Sequence, residues 1–225
     1  MKIVRGSGGS SRRRRVFVVD DHLILREGLR MLLNGQTDLE VCGEASRAQE
    51  GLKAMLESAP DLAIVDLSLE DSNGLDLLKD LHTRLPDLPV LVLSMHDESL
   101  FADRAIRAGA RGYLMKKEAG KELLSAIRTI LSGKIYLSER RSQQVLGAAL
   151  SGRAPVAKAP IEKLSDREIE VFEMIGQGTR TRDIARNLHL SVKTVESHRA
   201  RIKEKLGLAD SMQLVQHAVR WVERI

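Results

Sequence analysis

The sequence predicts an α/β domain, a doubly wound parallel sheet of five strands, followed by a small all-α domain. Two patterns carry this prediction. From residue 16 to about residue 132, five short apolar runs alternate with stretches whose apolar residues recur at helical spacing, which is typical of βαβ units. After residue 163 the apolar runs cease, and only helical patterns bounded by capping residues remain.

The predicted strands are short and almost wholly apolar, as expected where helices cover both faces of a sheet. They cover residues 16–19, 39–42, 62–65, 90–93 and 111–114. The predicted helices cover residues 22–34, 47–58, 74–84, 98–108 and 119–132. Right-handed crossovers leave few topologies, and we expect the flavodoxin-like strand order 2-1-3-4-5.

Four helices are predicted in the C-terminal domain. Ser165 and Glu168 fit a capping box at the start of the first helix. A short second helix covers residues 181–188. Ser191 and Asp210 are the predicted N-caps of the third and fourth helices, because their side chains can accept hydrogen bonds from free backbone amides. A short helix followed by a tight turn and a longer one is typical of a helix-turn-helix unit.

The chain divides into four segments. Residues 1–15 combine Gly-Ser repeats with arginines, and we predict a disordered basic leader, either a loose tail or a tether for DNA phosphates. Residues 16–138 form the α/β domain. Residues 139–162 lose the helix–strand rhythm and indicate a linker, in which residues 143–150 could extend a helix. Residues 163–225 form the helical domain.

Charge is unevenly distributed along the chain. The net charge is +5 overall, −6 over residues 16–138 and +3 over residues 163–225. An acidic body suits a cation site, and a basic end suits nucleic acid. A single cysteine excludes a disulfide framework, and six aromatic residues argue against a base-stacking RNA binder. No apolar run approaches the ~20 residues of a membrane span, so we expect a cytoplasmic protein without a membrane partner.

Polar residues stand at the carboxyl ends of four predicted strands. Asp20 and Asp21 follow the first strand, Asp66 the third, Ser94 ends the fourth, and Lys116 follows the fifth. In the expected strand order the first and third strands are neighbours, so the three carboxylates converge. Such a cluster needs a compensating cation, and its oxygen ligands suit Mg²⁺. A carboxylate can also form an aspartyl phosphate, for which Asp66 is the predicted nucleophile.

Blander interpretations of these residues stay open. Asp20 and Asp21 could cap the helix that begins near His22, which we expect on the surface rather than in a metal site. Lys117 could take the place of Lys116. Turnover of an added phosphate ester would indicate a phosphohydrolase, although the sequence offers no separate general acid or base, and we therefore expect no enzyme beyond slow loss of the protein's own phosphate.

Residues 16–138 resemble a response-regulator receiver domain. The motifs that carry the resemblance are Val18-Val19-Asp20-Asp21-His22, Val65-Asp66-Leu67, Leu93-Ser94 and Gly112-Tyr113-Leu114-Met115-Lys116. The resemblance implies that Asp66 accepts phosphate from a sensor histidine kinase, that Lys116 binds a phosphate oxygen, and that Ser94 and Tyr113 form a switch pair. The Mg²⁺ ligands it implies are Asp20, Asp21, Asp66 and the backbone carbonyl of Ser68.

Two positions depart from the common pattern of this family. Glu70, followed by Asp71, stands where many relatives have proline, so we expect a more acidic loop. Met95 follows Ser94 where many relatives have a smaller residue, and its bulk is expected to restrict access to the acceptor. For Tyr113, a half-buried sheet residue is the alternative to a switch role.

The C-terminal domain resembles a LuxR-type DNA-binding domain over residues 163–225. The motifs are Leu164-Ser165-Asp166-Arg167-Glu168-Ile169-Glu170-Val171, Ile184-Ala185 and Ser191-Val192-Lys193-Thr194-Val195-Glu196-Ser197-His198. The third helix has an apolar stripe at Val195, Ile202 and Leu206 with a polar face opposite. The residues that the resemblance turns toward double-stranded DNA are Lys193, Thr194, Glu196, Ser197, Ala200 and Arg201.

A receiver joined to this domain is the architecture of NarL/FixJ response regulators. The resemblance implies a transcriptional regulator in which phosphorylation of Asp66 promotes homodimerisation, release of the DNA-binding domain, or both. A homodimer would then bind two half-sites. The alternative is a phosphorylation-independent regulator whose receiver serves as an interaction module.

Overall fold

A computed structural model of the chain describes residues 12–69, 74–150 and 160–223. One parallel sheet has the strand order β2-β1-β3-β4-β5, which confirms the predicted order. Its strands are β1 (Arg14–Val19), β2 (Leu39–Ala45), β3 (Leu62–Val65), β4 (Val90–Ser94) and β5 (Gly112–Met115). The helices that alternate with them are α1 (Leu23–Asn34), α2 (Ala48–Ser58), α3 (Gly74–Arg84), α4 (Glu98–Arg107) and α5 (Ala119–Leu131).

The sheet is buried on both faces, as the unbroken apolar strands predict. Along β1, Val16 and Val18 join the apolar cluster on one face, and Phe17 and Val19 join the cluster on the other. This alternation follows from the two-residue period of a strand. Each such side chain, when fully buried, stabilises the fold by roughly 1.5–3 kcal/mol.

The first strand begins earlier than predicted, which corrects the boundary of the basic leader. Arg14 and Arg15 belong to β1: the Arg14 amide donates to the Asp38 carbonyl at 2.8 Å, and the Arg15 amide donates to Asp61 Oδ2 at 2.8 Å. Asp61 also pairs with the Arg14 guanidinium at 3.1 Å. The arginines are held by acidic partners far along the chain, which a local pattern does not reveal. Residues 1–11 lie outside the described part.

Half of the predicted linker is helical. Helix α6 (Glu139–Leu150) occupies its first half, which extends the predicted helix by one turn toward the N-terminus. The Arg141 guanidinium pairs with Asp103 at 2.6 Å and ties α6 to α4. Residues 151–159 lie outside the described part.

The C-terminal domain is a four-helix unit. Its helices are α7 (Asp166–Gly176), α8 (Thr181–Asn187), α9 (Val192–Leu206) and α10 (Ser211–Val222). The three predicted N-caps are confirmed: Ser165, Ser191 and Asp210 each accept a hydrogen bond from a backbone amide three residues later. Gly207 ends α9 with φ +67°, a left-handed conformation that glycine adopts without strain. Among the described residues, no helix is long and apolar enough to cross a membrane.

Candidate functional site

Three charged groups meet at the carboxyl ends of the central strands. β1 delivers Asp20, β3 delivers Asp66, and the residue after β5 is Lys116. The Lys116 Nζ lies 2.8 Å from Asp20 Oδ2 and 2.7 Å from Asp66 Oδ2. All three side chains are buried, with Asp66 only 1% exposed. Lys116 therefore takes the predicted position, while Lys117 lines a separate surface cavity beside Glu118.

Burial dominates the electrostatics of this site. Burial, opposed by the charge of Lys116, raises the pKa of Asp66 from 3.8 to about 6. Burial alone would lower the pKa of Lys116, but the charges of Asp66 and Asp20 outweigh it and raise the pKa, so the ammonium stays protonated. The site is thus an anionic pocket with one fixed cation.

The acidic cluster has the composition of a cation site. Ligand atoms of Asp20, Asp21, His22 and Asp66 lie within 4.8 Å of one another. Asp66 Oδ1 is buried and accepts no hydrogen bond from the described residues, so the pocket leaves one carboxylate oxygen available. Carboxylate oxygens of this kind fit a hard divalent cation. His22 is mostly exposed, as expected, but its Nδ1 lies 2.6 Å from Asp21 Oδ1.

Close packing fixes the acceptor at the end of β3. A Cβ atom added at Gly74, the first residue of α3, would lie 2.2 Å from the Asp66 backbone carbonyl. Only glycine permits α3 to start this close to the strand end. The loop between them contains Glu70 and Asp71, so the expectation for that acidic loop lies outside the described residues.

The predicted switch residues sit on the next two strands. Ser94 ends β4 fully buried, and its hydroxyl accepts a hydrogen bond from the His96 amide at 3.2 Å. Tyr113 on β5 is also fully buried, which excludes the half-buried alternative, and its hydroxyl donates to the His96 carbonyl at 2.9 Å. Burial raises the pKa of Tyr113 well above its ordinary value. Met95 is 68% exposed and points into solvent beside this network.

His96 belongs to this site, and the sequence analysis missed it. Its ring stacks on Phe101 at a centroid distance of 4.5 Å, and its Nε2 lies 3.0 Å from Ser68 Oγ. Its Nδ1 lies 2.9 Å from Glu173 Oε2 on α7. Burial works to lower the pKa of His96, but the hydrogen bond and charge of Glu173 outweigh burial and raise it. The only available signal was its position two residues after Ser94.

A second candidate surface lies on α9. Of the residues predicted to face DNA, five are exposed and Thr194 is partly covered. The exposed residues are Lys193, Glu196, Ser197, Ala200 and Arg201. Val195 and Ile202 are fully buried on the opposite stripe, which confirms the predicted division of this helix. Exposed polar and small side chains on one helical face are what a major groove admits.

Two contacts orient the polar residues around α9. The Thr194 amide donates to Ser191 Oγ at 3.0 Å, so the helix start is capped on the side predicted to meet phosphates. Arg199 lies 3.6 Å from Glu196 and donates to Thr181 Oγ1 at 3.2 Å, which ties α9 to α8. His198 is partly buried, and burial lowers its pKa, so this side chain belongs to the packed side of α9 rather than to its exposed face.

Known protein families match both halves of the chain. Residues 16–128 match the response regulator receiver domain, and residues 162–218 match the bacterial regulatory proteins of the luxR family. Over 210 residues the chain is 32% identical to the oxygen regulatory protein NreC of Staphylococcus carnosus (strain TM300), a match that covers 92% of this chain and 97% of that protein. NreC of Staphylococcus epidermidis is 32% identical over 211 residues.

Solved structures give the same likeness. A two-component response regulator of the LuxR family from Aurantimonas sp. SI85-9A1 is 33% identical, with a TM-score of 0.57 over 61% of this chain and 99% of that chain. A structure of two RcsB dimers bound to two parallel DNAs is 25% identical, with a TM-score of 0.56 over 91% of this chain and 97% of that chain. RcsB of Salmonella typhimurium, at 24% identity and a TM-score of 0.64, shares the fold.

Proposed function

Since this chain belongs to the response-regulator family and joins a receiver domain to a luxR-type DNA-binding domain, we propose that phosphorylation of Asp66 switches its binding to DNA. One observation carries the proposal. A buried aspartate with one oxygen bonded to Lys116 and the other without a hydrogen bond stands beside two further carboxylates. That arrangement suits a nucleophile that must take up a phosphoryl group.

The chemistry is a phosphoryl transfer from a phosphohistidine of a sensor kinase. Asp66 Oδ1 attacks phosphorus, an O–P bond forms, and the P–N bond breaks with its electron pair left on the imidazole nitrogen, which then takes a proton from solvent. The Lys116 ammonium, fixed beside Oδ2, balances charge on the transferred group. The phosphate is lost by hydrolysis: water attacks phosphorus, the bond between phosphorus and Asp66 Oδ1 breaks, and inorganic phosphate leaves.

Asp20, Asp21, Asp66 and the Ser68 carbonyl would hold Mg²⁺. The bound ion supplies positive charge that neutralises the phosphoryl oxygens. Asp20 would then lie between two positive charges, the ion and the Lys116 ammonium, whose Nζ is 2.8 Å from Asp20 Oδ2. Removal of Mg²⁺ by a chelator is expected to abolish phosphorylation.

The phosphorylated protein acts on DNA through α9. Phosphate favours a receiver state in which Ser94 and Tyr113 are rearranged, which is a shift between populations. That state forms a homodimer, frees the DNA-binding domain, or does both, and two α9 helices reach two half-sites. The RcsB dimers solved on DNA support this use of the luxR-type domain. The function requires a location shared with DNA, for which the sequence predicts the cytoplasm.

The test uses the full-length protein with Mg²⁺ and acetyl phosphate. Intact mass and light scattering are recorded for the wild type beside Asp66→Asn. We expect one phosphate adduct on the wild type only, together with a shift to dimer or tighter binding of a DNA duplex. Beryllofluoride replaces acetyl phosphate if Met95 excludes that donor.

The alternative function is a receiver used as an interaction module, with DNA binding always on. Equal DNA affinity of the wild type and Asp66→Asn under phosphorylating conditions would support it. Absence of both the phosphate adduct and beryllofluoride binding would overturn the proposal that Asp66 is the acceptor.

A further inference from the structure

The DNA-binding domain is docked on the receiver through its first helix. The Arg104 guanidinium on α4 lies 2.7 Å from Asp166 Oδ1, and its second amino group donates to the Leu164 carbonyl at 2.9 Å. A second contact is the 2.9 Å hydrogen bond between the His96 ring and Glu173, and Lys79 on α3 lies 3.7 Å from Asp166 Oδ2. These four side chains, Arg104, Asp166, His96 and Glu173, are called the clasp below. All four are at least three-quarters buried, so water screens them weakly.

One member of the clasp, His96, contacts Ser68 near the predicted phosphate acceptor. Nδ1 of His96 donates to Glu173, so in the neutral ring Nε2 accepts from the Ser68 hydroxyl, 3.0 Å away, and in the protonated ring Nε2 donates to it. Ser68 lies two residues beyond Asp66. The His96 ring is 15% exposed: one face stacks on Phe101, and its two nitrogens contact Ser68 and Glu173. A side chain of the DNA-binding domain thus fixes a bulky ring next to the phosphorylation site.

The backbone of the same residue joins the two predicted switch side chains. The His96 amide donates to Ser94 Oγ, and its carbonyl accepts from the Tyr113 hydroxyl. A movement of the His96 backbone therefore strains its hydrogen bonds with Ser94 and Tyr113. Conversely, a movement of the Ser94 hydroxyl toward a phosphoryl group breaks its hydrogen bond with the His96 amide. The clasp and the acceptor share one residue.

The clasp does not cover the DNA-facing residues of α9. Lys193, Ser197 and Arg201 are exposed while α7 is docked. Docking therefore does not shield α9 from DNA. The side chains of the clasp contact the receiver instead.

We propose that Glu173 of the DNA-binding domain holds the His96 ring against Ser68 as a cover beside Asp66 and so slows both gain and loss of phosphate at Asp66. The inference rests on the proposed function of Asp66. In it, His96 is a positioning residue and the DNA-binding domain regulates the receiver, the reverse of the usual direction of control. A change that breaks the contact between Glu173 and His96 frees the ring to move away from Ser68, and both rates should then rise.

The test measures phosphate gain and loss on the full-length protein. Gain is followed by intact mass after addition of acetyl phosphate with Mg²⁺, and loss is followed after removal of the donor. Glu173→Ala is expected to accelerate both rates by about three- to tenfold, the effect of losing one hydrogen bond that holds the ring in place. Glu204→Ala, an exposed glutamate of the same domain, is the matched control and keeps both rates.

Two further variants separate a positioning role from a general loosening. Glu173→Gln, whose amide oxygen can still accept from Nδ1, should keep the slow rates. His96→Ala should be as fast as Glu173→Ala, and the double variant no faster than either, because the two act as one unit. Additive effects, or wild-type rates in Glu173→Ala, would overturn the inference while leaving the acceptor role of Asp66 intact.

Beryllofluoride binding distinguishes the remaining outcomes. If the wild type binds beryllofluoride and Glu173→Ala gains and loses phosphate no faster than the wild type, the inference fails and the proposed function of Asp66 stands. If no variant takes phosphate or beryllofluoride, the proposed function of Asp66 fails, and the inference fails with it.

Discussion

At the scale of single residues, the site is governed by one buried carboxylate. Burial raises the pKa of Asp66 to about 6, so the folded chain holds this proton more tightly than the unfolded chain. The stability this group contributes is full below about pH 4 and is lost as the pH rises through about 6. At neutral pH the ionised Asp66 carboxylate therefore lowers the free energy of unfolding.

That loss of stability predicts a stabilising substitution. Without Mg²⁺, Asp66→Asn should raise the free energy of unfolding at pH 7.5 by about 1–3 kcal/mol, since each pKa unit is worth about 1.4 kcal/mol. Urea unfolding of the receiver at pH 7.5 and pH 5 measures it. The gain should shrink at the lower pH. Asp87→Asn, an exposed control, should show neither effect, and a destabilised Asp66→Asn at pH 7.5 would contradict the prediction.

Single residues also mark the limit of what the sequence can predict. Asp20, Asp66 and Lys116 could be placed together because each directly follows an apolar strand, and parallel strands end at one edge. His96 could not, because its partners Ser68 and Glu173 lie 28 and 77 residues away and neither is unusual in its local sequence.

At the scale of elements, α7 depends on its first turn. Glu168 is buried, and its Oε2 accepts from the Ser165 amide and from Lys205 Nζ, each at 2.7 Å. Burial would raise the pKa of Glu168, but Lys205 and Ser165 outweigh it and lower the pKa. Its stabilisation is therefore present above the ordinary glutamate pKa and is lost as the pH falls through the lowered value.

Two substitutions at the start of α7 should lower the stability of this helix by unequal amounts. Glu168→Ala removes a buried carboxylate together with its hydrogen bonds from the Ser165 amide and the Lys205 ammonium, and should cost about 2–3 kcal/mol. Ser165→Ala removes only a 3.4 Å hydrogen bond and should cost about 0.5–1 kcal/mol. Hydrogen exchange of the α7 amides in the native chain measures both, and equal losses of protection would contradict the assignment.

Helix caps could be predicted from the sequence and the start of β1 could not, for a physical reason. A capping side chain contacts a backbone amide only three residues away, so Ser191 and Asp210 indicate the starts of their helices in the local sequence. The start of β1 depends on Asp61, which lies 46 residues after Arg15. The first turn of α6, residues 139–142, was also not predicted, and it is joined to α4 through Arg141 and Asp103, which likewise lie far apart in the sequence.

At the scale of the whole molecule, charge predicts how the chain binds DNA. Lys193 is an exposed cation at the start of α9, so Lys193→Ala should weaken binding to any duplex and reduce the slope of log affinity against log salt by about 0.9. Fluorescence anisotropy at several salt concentrations measures the slope. Lys53→Ala, which removes an exposed charge from the receiver, should leave it unchanged. An unchanged slope in Lys193→Ala would remove this residue from the DNA-facing set.

The two domain folds were predictable from their own periodicities, whereas their docking was not. Docking depends on pairs such as Arg104 and Asp166, 62 residues apart and ordinary for a surface in composition. Such residues come into contact only after both domains have folded, so their pairing cannot be inferred from the sequence.

The exposure of α9 in the docked chain has a consequence for the order of events in signalling. A copy that has received no signal still presents its cationic helix, so it can travel along DNA in loose, sequence-blind contact. The search for a target then precedes the stimulus. If Asp66 is the acceptor, as proposed, phosphate reaches copies that already contact DNA, and the rate of phosphorylation rather than diffusion to the site would set the speed of the response.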